Sequence, residues 1–170
     1  MKLKINSMFL GLLLVLVTIT CSCAENTSLQ IGTQTPIISL PSINGEVFST
    51  ETLLGKPYLL TFYTTWSQSC INNLKSLQDI KNKHNGINIV AVSFDKKISV
   101  VDSFLKNNGF SFISLIDKKQ KNLDAFHVII IPMTLLIDKN GTIKSIYRDF
   151  DNSIKNSMDE DIQKLLKETT

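Results

Sequence analysis

The stretch Tyr58-Leu59-Leu60-Thr61-Phe62-Tyr63-Thr64 constrains the fold more than any other. Its apolar residues follow one another with little alternation, the pattern of a strand buried on both faces. Such a strand needs a covering layer on each side, which places it inside an α/β sheet. "INIVAVSF" at 87–94 repeats the pattern, and "VIIIPMTLLID" at 128–138 brings a proline before another apolar strand.

Helical periods lie between these strands. Cys70, Leu74, Leu77 and Ile80 recur at helical spacing across 67–84, and Val101, Phe104 and Leu105 do so across 98–109, with Gly109 as a stop. "FSFISLID" at 110–117 reads as a shorter strand and "KKQKNLDAF" as a short helix. Asp138-Lys139-Asn140-Gly141 is a hairpin turn into "TIKSIYR". A last helix carries Ile154, Met158, Ile162, Leu165 and Leu166 on one stripe. Upstream, "PIISLPSINGEVFS" reads as two short strands around Asn44-Gly45. "STETLLGKP" follows as a brief helix, capped by Ser49 or Thr50 and ended by Gly55. The expectation is one three-layer α/β domain with a mixed sheet.

The first residues stand apart from that domain. Lys2 and Lys4 precede an apolar run from Met8 to Ile19, about the length of a signal-peptide core and short of the ~20 residues that span a bilayer. The leader predicts export. Cys23, preceded by the small Ser22, resembles the lipidated cysteine of a bacterial lipobox better than Cys21, which follows Thr20. Ordinary cleavage after Ala24 also fits, because Ser22 and Ala24 are small. The expected organisation is a lipoprotein-type leader over 1–22, a tether over 23–30 and the domain over 31–170. A lipid-anchored chain of this kind sits at a membrane face outside the cytoplasm.

Charge and cysteine usage narrow the chemistry. Without Lys2 and Lys4, basic residues number 16 against 15 acids, and Arg148 is the single arginine. No basic stripe exists, which argues against a nucleic-acid partner. Two isolated histidines and one domain cysteine give no metal-ligand spacing, and no Gly-rich phosphate loop is present. Of three cysteines, only Cys70 lies within the domain, so no disulfide scaffold forms there. Its thiol is either a nucleophile or a small core hydrophobe.

The segments "IGTQTPIISLPSINGEVFSTETLLGKPYLLTFYTTW", "VAVSFD" and "VIIIPMTLLIDKNGTI", in order and followed by the terminal helix, resemble the thioredoxin fold. The nearest branch is the exported TlpA/ResA-like group, which overlaps in sequence with the AhpC/TSA peroxiredoxins. The likeness covers about residues 30–167. In that family the strand ends in Trp-Cys-x-x-Cys at a helix N-terminus, where unpaired N–H groups and the helix dipole stabilise a thiolate. The first cysteine attacks a disulfide and the second resolves the mixed species. A cis-proline lies beside the pair; Pro132 matches it, and Ile131 before it would offer backbone groups to an extended peptide.

The chain departs from this pattern at decisive places. Trp66 matches, but Ser67 stands at the attacking cysteine and only Cys70, the resolving one, remains. Asn73 and Lys75 replace a buried glutamate and a proline of many ResA-like chains. The resemblance therefore implies that the two-thiol cycle does not run. Ser67-Gln68-Ser69-Cys70 matches half of a peroxiredoxin motif, with Tyr63 at its proline position and Arg148 misplaced for its arginine. Two readings stand. In one, Cys70 acts as a single thiol with Ser67 as its hydrogen-bond partner, on an envelope protein thiol. In the other, the monomeric domain, needing no cofactor, holds an extended peptide against Trp66, Ile131 and Pro132.

Overall fold

The computed structural model describes residues 29–168; the leader with Cys21 and Cys23, and most of the tether, lie outside them. A hairpin of β1 (Ser39–Pro41) and β2 (Val47–Ser49) leads through a single 3₁₀ turn (Thr50–Leu53) into β3 (Tyr58–Tyr63). There follow α1 (Gln68–Lys83), β4 (Asn88–Ser93), α2 (Ile98–Asn108), β5 (Ile113–Ile116) and α3 (Lys121–Ala125). The chain ends in β6 (Met133–Ile137), β7 (Ile143–Arg148) and α4 (Asn152–Glu168). The main sheet has the order β5-β4-β3-β6-β7, with β3, β4 and β5 parallel and β6 and β7 antiparallel.

All six residues of β3 are buried, as its unbroken apolar run requires. Leu59 and Tyr63 face one core with α1, α2 and α4, through Leu74, Val101 and Met158 among others. Tyr58, Leu60 and Phe62 face a second core, closed by Phe126 and by Ile38 and Leu53 of the N-terminal region. The hairpin thus completes a layer that one short helix leaves open. It also reaches the outer edge of β5, where Ser42 bridges Leu115 and the Ile43 N–H donates to the Ser114 carbonyl at 3.1 Å. At the opposite edge, the Gly32 N–H donates to the Ile143 carbonyl and the Ile143 N–H to the Thr33 carbonyl.

Local signals act where expected. Ser49 caps the 3₁₀ turn by accepting from the Glu51 N–H, and Gly109 ends α2 in the left-handed region at φ 67°. Asp138 Oδ1 accepts from the Asn140 and Thr142 N–H groups, forming the turn before β7. The strand after Pro132 lies where its sequence pattern places it. Residues 128–132 are apolar but leave the sheet, and the β3–β6 pairing begins only at Met133 opposite Phe62. His127 turns the chain at φ 46°, and Pro132 has no N–H to give a ladder.

Phe62 stacks on Phe94 with ring centroids 5.7 Å apart and packs against Phe126 at 5.0 Å. Phe62→Ala is expected to lower stability by about 3–5 kcal/mol, the cost of a large core truncation, measured by urea unfolding.

Candidate functional site

The joint between β3 and α1 is built by residues 64–70. α1 starts where Ser67, extended at φ −87°, accepts the Cys70 N–H on its hydroxyl oxygen at 3.4 Å. Ser67 is thus a helix N-cap. Thr65 fixes the preceding turn: its N–H and hydroxyl both donate to the Asp95 carboxylate, at 2.9 and 3.0 Å.

Cys70 is fully buried in the core that α1 shares with the sheet. Burial pushes its thiol above the ordinary range, and hydrogen bonding to Ser67 and Thr64 pulls it back only in part. The nearby Asp95 charge adds to the upward shift. At neutral pH the group is a neutral thiol, although it sits in the first turn of a helix. Residues 67 and 70 are brought together, and the sulfur faces away from solvent.

Beneath Cys70 lies a polar cluster. Asn73 is buried, and its amide donates to the hydroxyls of Thr61 at 3.0 Å and Thr134 at 3.2 Å. Those two hydroxyls, paired across β3 and β6, bond each other at 2.9 Å. The asparagine is a neutral side chain whose partners are hydroxyls. The sequence carried a signal for it: Asn73 lies three residues after Cys70 and four before Leu77, on the apolar stripe, and Thr61 and Thr134 interrupt apolar strands. A second clamp closes the rim. Ser69 donates to Asp149 Oδ1 at 2.7 Å, and the Asp149 N–H donates to the Pro132 carbonyl at 2.8 Å.

The surface beside this joint is apolar. Trp66 is 76% exposed, Ile129 88% and Ile130 42%. The tryptophan is therefore not wedged between helix and sheet. With Phe94, Leu123 and Ile131 these residues line a shallow groove of about 460 Å³. Pro132 is buried, and the Ile131–Pro132 bond is cis. Among the described residues, no backbone hydrogen bond engages Ile129, Ile130 or Ile131. Of the two histidines, His127 is exposed on the loop beside the groove, and His84 pairs with Asp159 at 2.9 Å, away from the site. No group of three or more His, Cys, Asp or Glu among the described residues is placed to hold a metal ion.

This is the thioredoxin-like fold, with its helix-opening site and cis-proline. The family model "AhpC/TSA family" matches residues 31–146. Thiol-disulfide oxidoreductase ResA of Bacillus anthracis is 30% identical over 122 residues, 71% of this chain and 70% of that protein. Thioredoxin-like protein YneN of Bacillus subtilis is 31% identical over 127 residues, 72% of this chain and 74% of that protein. A Chlorobium tepidum crystal structure named for the thiol:disulfide interchange protein DsbE superposes with TM-score 0.77 at 26% identity. It covers 82% of this chain and 99% of the other. The chain belongs to the AhpC/TSA family, among the ResA-like thiol–disulfide oxidoreductases of thioredoxin fold.

Burial also raises Tyr58 and Tyr63 to about 12. Groups whose folded pKa is raised ionise first in the unfolded chain, so their contribution is complete below the unfolded value and is lost as pH rises. Stability is expected to fall from the ordinary thiol pKa of ~8.5, past that of tyrosine at ~10, towards about 12. Urea midpoints across that range check it, and Cys70→Ala should flatten only the lower part. Alkylation of Cys70 in the folded protein should be slow at neutral pH and become fast on unfolding.

Proposed function

We propose that this protein is an exported member of the thiol–disulfide oxidoreductase family that recognises an extended peptide segment and has lost its own two-thiol cycle. The observation that carries this reading is the pairing of exposed apolar side chains with unengaged backbone. Trp66, Ile129 and Ile130 face solvent, and the main-chain groups of Ile129–Ile131 are open to strand addition. Main-chain pairing would supply affinity and the flanking side chains selectivity. Ser67 has no thiol to give, and its oxygen is committed to capping α1. The relatives' names point to protein thiols or disulfides as the context of the bound segment.

The test is anisotropy of labelled extended peptides. Trp66→Ala and Ile130→Asp are expected to weaken binding at least tenfold, while Cys70→Ala leaves it unchanged. Binding indifferent to both groove substitutions, or abolished by Cys70→Ala, would sink the reading.

The second reading is single-thiol exchange, in which the Cys70 thiolate attacks a partner disulfide, forms a mixed disulfide and releases the partner's other thiol. The neighbouring Ser67 and Thr64 favour it, since both act to lower the thiol's pKa against the effect of burial. A mixed disulfide trapped on Cys70 in the folded chain would establish it.

The leader supports delivery to a membrane face, with Cys23 as the acylated residue ahead of Cys21. No helix among the described residues is long and apolar enough to cross a membrane. Labelled fatty acid is expected to be incorporated by the parent chain and by Cys21→Ala, and to be absent from Cys23→Ala.

A further inference from the structure

We infer that the groove selects extended peptides carrying acidic residues beside their apolar ones, an inference that rests on the groove reading above. β3, β4 and β5 are parallel, so the loops that leave them emerge at the edge of the sheet that holds Trp66. The loop after β4 carries Lys96 and Lys97, close behind Phe94. The loop after β5 carries Lys118 and Lys119, and Gln120 and Lys121 follow directly. Phe94 and Gln120 both line the groove. All five lysines are exposed. None joins the ion pairs found among the described residues, which lie on or beside α1, α2 and α4.

The carboxylates on the same segments do not cancel them. Asp95 is turned towards Thr65 and Ser93, accepting from both hydroxyls and from the Thr65 N–H. Asp117 is buried and accepts from the N–H groups of Lys121 and Asn122 and from the Asn122 amide. Asp124 is the one exposed acid there. The two loops beside the groove therefore present five exposed lysines against one exposed carboxylate, while Asp149, exposed across the site, is engaged by the Ser69 hydroxyl. The groove's complement is a segment with apolar side chains pointing in and carboxylates along one flank. An anionic bilayer would share that charge, but a concave groove with open main-chain groups at Ile129–Ile131 suits a strand better than a flat headgroup layer.

The probe is a set of labelled ten-residue peptides that alternate valine and leucine with glutamate, glutamine or lysine, titrated into the purified full chain. Exposed charge pairs are individually weak and screened by salt. The glutamate peptide is therefore expected to bind about tenfold more tightly than the glutamine one at low salt, an advantage that shrinks as salt is added. The lysine peptide should bind most weakly. Replacing Lys118, Lys119 and Lys121 together by Glu should invert that order. Lys96→Glu with Lys97→Glu, on the other loop, should move it in the same direction. Equal affinity for the three peptides would overturn this inference and leave the groove reading standing. Failure of all three to bind would overturn both. Capture by phosphatidylglycerol vesicles through the same lysines, without discrimination among peptides, would overturn it in favour of a membrane surface.

Discussion

The site depends on the rotation of α1 against the sheet, and the Asn73 amide fixes that rotation. A helix lying on apolar strands can slide or roll at modest cost, since dispersion contacts are numerous and non-directional. Two hydrogen bonds from one buried amide to hydroxyls on adjacent strands remove that freedom. A roll would strip the buried Asn73 amide of both partners, at a cost of about 1–3 kcal/mol, while the Thr61 and Thr134 hydroxyls would keep each other. With the helix held there, Ser67 lies at its mouth and Cys70 faces the core.

That geometry separates two properties that the two-cysteine site of this family combines: recognition of a chain segment and exchange of electrons with it. Recognition needs shape, apolar surface and open main-chain groups, all of which remain around Trp66 and Ile131. Exchange needs a thiolate at the helix mouth, and an alcohol stands there. Three residues after Cys70 in α1, the buried side chain is a neutral amide satisfied by hydroxyls. A buried carboxylate without proton chemistry to perform would carry a desolvation cost, and Asn73 avoids it. The serine and the asparagine are thus physically consistent with each other.

Much of this was legible in the sequence, for identifiable reasons. Double-sided burial left its mark in Tyr58–Tyr63 and Asn88–Ser93, caps left theirs in Ser49 and Gly109, and Pro132 marked the loop beside the site. The strand that starts after Pro132 was legible too, but apolar composition does not distinguish a residue facing a core from one facing solvent. Ile129 and Leu135 read alike and lie in opposite environments. The links between Asn73 and Thr134, and between Ser69 and Asp149, span 61 and 80 residues of chain and have no local periodicity to reveal them. The lysines of the loops after β4 and β5 carry no signal of their proximity in the sequence, because they are gathered only when parallel strands bring their ends together.

The hairpin at the margin of β5 has a consequence for self-association. An uncovered strand margin is a template on which another chain can build. Here Ser42 and Ile43 occupy one margin. The other is closed at its start by residues 32–34, and beyond that it displays the exposed charges of Lys144 and Arg148. Copies of the protein are thereby discouraged from polymerising through their sheets. The main chain left unpaired at Ile129–Ile131 is short by comparison and ends at Pro132, which has no N–H to extend a ladder.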